Sequence, residues 1–80
     1  MMKEDSLIAF VTNDLNDNNQ WDNACTYLDD VFEGAINVKV VFKRNHSKLY
    51  ARLLHFCAEN GGIIVSTNPA TLATVIRIEL

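Results

Sequence analysis

Residues 35–62, AINVKVVFKRNHSKLYARLLHFCAENGG, change their apolar period once, from two to about three and a half. That change restricts the chain to folds in which a strand hands over to a helix through a short turn. Ile36, Val38, Val40 and Phe42 alternate with Asn37, Lys39, Val41 and Lys43, the pattern of a half-buried strand. Beyond Asn45, residues Leu49, Leu53, Phe56 and Cys57 recur at helical spacing, and Tyr50 and Leu54 widen the apolar stripe. Lys48, Arg52, His55 and Glu59 fall on the opposite side. Ser47 or Asn45 suits the N-cap, and Asn60-Gly61-Gly62 supplies the positive φ at which such a helix stops.

On either side of this unit the reading is less constrained. Ser6 to Thr12, SLIAFVT, is short, apolar and rich in β-formers, and predicts a strand buried on both faces. Asn13 to Asn19 is almost wholly Asn and Asp and predicts an exposed loop. Trp21, Ala24, Cys25, Leu28, Val31 and Phe32 follow i, i+3, i+4, i+7 spacing, which predicts an amphipathic helix ended by Gly34. After the central unit, Ile63 to Thr67 predicts a strand. Asn68-Pro69-Ala70-Thr71 predicts a turn, and Leu72 to Leu80 a last strand with Thr74, Ile76, Ile78 and Leu80 on one side.

These elements sum to an α+β two-layer sandwich of order β-α-β-α-β-β, with a four-stranded mixed sheet and two helices on one face. Residues 1–80 are expected to form a single domain, since 80 residues suffice for one core and not for two. The uncovered face would carry Lys39, Lys43, Arg77 and Glu79 interrupted by Val41 and Val75, leaving room for a homodimer or another partner there. No run of about 18 apolar residues and no charged start before an apolar segment is present, so the expectation is a cytoplasmic chain without a membrane span.

The net charge of −3 conceals a division. Residues 1–33 hold eight acids and one base, whereas residues 34–58 hold five bases and no acid. Lys43, Arg44, His46, Lys48 and Arg52 gather at the strand-helix turn, where the first turn of a helix already favours an anion. They form the candidate site for nucleic acid or a phosphate ligand, against the alternative of pairing with Asp14, Asp17 and Asp22 of the Asn/Asp loop. Asp29, Asp30 and Glu33 form a candidate acidic patch for a basic partner.

Other motifs lead to less. Asp14-Leu15-Asn16-Asp17-Asn18 opens like a calcium loop, but Asn19 stands where the turn glycine belongs and Cys25 where the bidentate glutamate belongs. His55 and Cys57, two apart on a helix, face different ways and make no metal pair. His46 has no nucleophile at a recognisable spacing, so no catalytic residue is assigned and the reading leans away from an enzyme. Cys25 and Cys57 both fall on apolar helical faces, where a cysteine serves as a small buried hydrophobe. No cofactor or metal is implied.

The order of these predicted elements, the length, and the spacing from the second strand to the end resemble the small sulfur-carrier family of the SirA/TusA type. That family carries its persulfide on the cysteine of a C-P-x-P motif at the start of the first helix. Here the matching region reads Asn-Asp-Leu-Asn-Asp-Asn-Asn-Gln-Trp-Asp, and Cys25 lies a turn or more farther on. The resemblance is therefore one of layout, and it implies a degenerate carrier or thiol protein only if Cys25 takes the role. The leading expectation is a non-enzymatic binding or regulatory domain that acts on a protein partner, with a homodimer through the sheet face as one form. Nucleic-acid or phosphate binding at the basic turn comes second, and the thiol role third.

Overall fold

The structure, a computed structural model, describes residues 2–16, 23–44 and 47–79. Helix α1 (Glu4–Phe10) runs directly into a π-helical turn (Val11–Leu15). Strands β1 (Ala24–Phe32) and β2 (Ala35–Phe42), helix α2 (Ser47–Asn60), and strands β3 (Ile63–Thr67) and β4 (Thr74–Glu79) follow. The sheet order is β1-β2-β4-β3, with every neighbouring pair antiparallel. The α+β class, the four-stranded sheet and the two helices on one face are as expected. The order is α-β-β-α-β-β, however, and the sheet is antiparallel where a mixed one was predicted.

Two segments account for the difference. SLIAFVT is helical: Leu7, Phe10, Val11 and Leu15 are buried while Ile8 and Ala9 are exposed. The stripe becomes visible only when the window is carried past Thr12 to Leu15, and a short apolar run alone does not separate strand from helix. Glu4 and Asp5 in the first turn also complement the helix dipole.

Conversely, the segment predicted as the first helix is strand β1. Thr26, Tyr27, Val31 and Phe32 are β-formers, and Glu33-Gly34 is a two-residue hairpin turn with φ of 34° and 82°. Positive φ at both central positions matches the right-handed twist of the flanking strands, and glycine takes the second without strain. A bulge between Leu28 and Asp30 breaks the two-residue period and makes the segment read as helical. Trp21, the first member of that supposed stripe, lies outside the described residues.

The central unit has the predicted form. Along β2, residues Ile36, Val38, Val40 and Phe42 are buried, and on β4 Thr74, Ile76 and Ile78 lie on the same face. Leu7, Phe10, Val11 and Leu15 from the first helical segment and Leu49, Leu53 and Cys57 from α2 close over them as one core. Each fully buried aliphatic side chain there contributes roughly 1.5–3 kcal/mol. Gly62 lets this layer close, because a Cβ at that position would stand 2.5 Å from Met2 Cε and 3.2 Å from Cys57 Sγ.

The uncovered face carries exposed Lys39 and Arg77, half-buried Glu79, and half-buried Val41 and Val75. There Arg77 Nε donates to Asn37 Oδ1 at 3.2 Å. Leu28 and Val31 pair with the core residues Val38 and Ile36 and so face the helices, yet they are 65% and 54% exposed: the helical layer stops short of that corner. Among the described residues, no helix is long and apolar enough to cross a membrane.

Candidate functional site

The two helical segments meet through Phe10 and Phe56, whose rings stack with centroids 4.1 Å apart and planes 9° from parallel. Above this pair opens a groove of about 450 Å³ lined by Phe10, Asp14, Ala51, Arg52, His55, Phe56, Glu59 and Asn60. That volume falls within the range of about 300–1,000 Å³ typical of ligand sites. Its floor is aromatic and its rim is charged in both senses.

The π turn brings Asp14 to this rim. Asn16 N–H donates to Val11 O at 3.1 Å, an i→i−5 bond that widens the helix locally, a geometry frequent at functional sites. The turn is clamped to the start of β1. Asn16 Nδ2 donates to Ala24 O and its Oδ1 accepts from Ala24 N–H, both at 2.8 Å, so one side chain imitates a strand partner. Asn23 Nδ2 donates to Leu15 O at 3.1 Å.

Across the groove, His55 Nε2 and Glu59 Oε1 are 3.4 Å apart on adjacent turns of α2, with side chains 77% and 64% exposed. A pair this exposed adds little stability, so it is better read as rim chemistry than as scaffolding. Among the described residues, the side chains of Asp14 and Arg52 have no hydrogen bond or ion pair.

Of the predicted basic residues, Lys43, Arg44, Lys48 and Arg52 are all exposed, and His46 lies outside the described residues. Lys48 and Arg52, four apart, share one side of α2, whose first turn contains no acid. Arg52 is thus at once the end of the basic surface and part of the groove. Lys43 N–H donates to Asn23 O at 2.9 Å, which ties the residue before β1 to the residue after β2. Asp17 and Asp22 lie outside the described residues.

The acidic residues sit differently from expectation. Asp29, Asp30 and Glu33 are exposed on β1 and its hairpin turn, not in the last turn of a helix. They lie toward the Phe32 end of a strand whose Ala24 end adjoins the basic turn, so the two patches occupy opposite ends of the sheet. The groove itself could not be read from the sequence, because it required α1 to be a helix.

Cys25 also departs from its predicted buried place. It is exposed on the uncovered face, and its Sγ donates to Tyr27 Oη at 3.4 Å. The hydrogen bond to Cys25, and then its charge, push the Tyr27 phenol above its ordinary value. Cys57, in contrast, is 1% exposed, and burial pushes its thiol up to about 11. Folded protein treated with a maleimide near neutral pH should therefore add one label quickly and the second only on unfolding. Intact mass with time checks this, and Cys25→Ser should remove the fast label. A slow Cys25 would end the case for a thiol role. Above pH 9 the unfolded state loses the Cys57 proton that the folded state keeps to about 11, so this group lowers stability as pH rises through that window.

No family model, curated protein or solved structure matches the chain.

Proposed function

We propose that this is a non-enzymatic binding domain that acts through protein–protein interaction, with the groove between the π turn and α2 as its docking site. The observation that carries this reading is the stacked Phe10–Phe56 floor beneath a rim of both charge signs. An apolar side chain of a partner would rest on the rings, with a basic neighbour toward Asp14 and an acidic one toward Arg52. A nucleic-acid backbone suits the rim less, because Asp14 and Glu59 would oppose its phosphates.

The test is selection of short random peptides displayed on phage against the full chain. Recovered peptides should share an apolar anchor flanked by charges, and Ala51→Arg should abolish their binding. Ala51 is exposed on the helix and arginine is a good helix former, so the substitution fills the groove without disturbing the core. Peptides that bind Ala51→Arg as tightly as the parent would overturn the assignment.

The second reading, nucleic-acid or phosphate binding, draws on one specific observation. Arg44, Lys48 and Arg52 are exposed and, among the described residues, without ion pairs. It requires single-stranded RNA to bind with an affinity that falls steeply with salt and with Lys48→Ala.

A further inference from the structure

The two edges of the sheet are unlike. On β1, Asp29 and Asp30 are exposed, the ladder is bulged, and Asp30 Oδ1 accepts the Val31 N–H at 2.9 Å. Charges, bulges and occupied amides are the devices that keep an edge strand from pairing with another chain. On β3, IIVST, only a bulge between Ile64 and Ser66 is present. The strand has no charged residue, and Ile63, Ile64 and Val65 are 48%, 37% and 46% exposed. Among the described residues, no backbone group of β3 bonds outward from the sheet.

The helix above that edge is also uncharged on the same side. With Leu53 facing the sheet, helical geometry places Arg52, Phe56 and Glu59 toward α1 and Tyr50, Leu54 and Ala58 toward β3. Tyr50 Oη donates to Thr67 Oγ1 at 3.3 Å, which ties this flank to the strand.

We infer that a second copy of this chain docks here, its β3 antiparallel to the first across a two-fold axis near the middle of the strand and the uncharged flanks of α2 side by side. No residue of IIVST is charged, so no charge meets a like charge in such a pair. A two-fold contact through β1 would instead crowd Asp29, Asp30 and Glu33 against their copies on a chain already at −3. The chargeless character of the β3 face selects a second copy over a partner recognised by its charges. A five-residue strand is about 17 Å long. With the helix flank it offers on the order of 300 Å² of face, below the about 800 Å² per partner of a stable complex, so the dimer is weak and depends on concentration. This inference does not rest on the groove, which lies on the other flank of α2 and stays open in the pair.

Sedimentation equilibrium of the full chain from micromolar to near-millimolar concentration tests it. The average mass should climb from 9.0 kDa toward twice that value. Val65→Lys should hold it at 9.0 kDa with an unchanged far-ultraviolet circular dichroism spectrum, while Val31→Lys on the opposite edge should associate like the parent. Should Val65→Lys fail to fold, Ile63→Arg is read in its place. A parent that stays at 9.0 kDa, a Val65→Lys chain that still associates, a mass beyond twice the monomer, or loss of association in Val31→Lys would each overturn the proposal.

Discussion

Leu53→Ala should lower the free energy of unfolding by about 3 kcal/mol, the middle of the range for emptying a fully enclosed leucine site. Leu53 is 0% exposed and stands between the face of β2 and β4 and the remainder of the helical layer. For a domain of this size the total stability is roughly 4–12 kcal/mol, so one truncation removes a large share of it. Urea denaturation should show a lower midpoint with an unchanged slope, and the thermal midpoint should fall by at least about 12 °C. A loss under about 1 kcal/mol would mean that α2 is not seated on the sheet as described. Leu54→Ala on the next position, half-buried, is the control and should cost distinctly less.

Phe10→Ala should cost about 3–4 kcal/mol, as expected for truncating a phenylalanine that is 9% exposed. Part of that cost is shared with Phe56 through the parallel stack at 4.1 Å. A double-mutant cycle of Phe10→Ala, Phe56→Ala and the pair should therefore return a coupling of about 1 kcal/mol. Additive effects would show that the rings only fill space independently. The same residues floor the groove, so Phe56→Leu, which keeps most of the volume, should retain the fold while weakening any peptide selected against the parent.

The parts of this fold legible in the sequence are those where pattern and punctuation agree. Residues Ile36 to Phe42 alternate strictly, residues 47–60 keep one stripe up to a glycine pair, and Asn68-Pro69 announces its turn. That turn closes as Asn68 Oδ1 accepts the N–H groups of Ala70 and Thr71. The first third misleads for physical reasons. SLIAFVT carries residues of high β propensity in a helix held by tertiary packing, and the bulge in β1 shifts its alternation by one residue midway. Glu33-Gly34 after a run of β-formers is the signal that separates the two, since that pair suits a two-residue hairpin as well as a helix end. Lys48 and Arg52 fall on the exposed side of α2, as the spacing predicts. Their neighbour across the groove, Asp14, reads as loop in the sequence, because nothing in local composition marks a π turn. Exposed Cys25 followed from the same misreading of β1 as a helix.

Asp30, with its carboxylate folded back on the Val31 amide, has a consequence for growth. A sheet open at both sides can recruit copies without end, each arrival presenting the next with the edge it has just used. Here one margin is occupied by its own side chain, and the other is short and lies under a helix. Addition at β3 consumes the available edge of both molecules at once. Such a chain can count to two and then stop, which separates a reversible pair from the first step of a fibre.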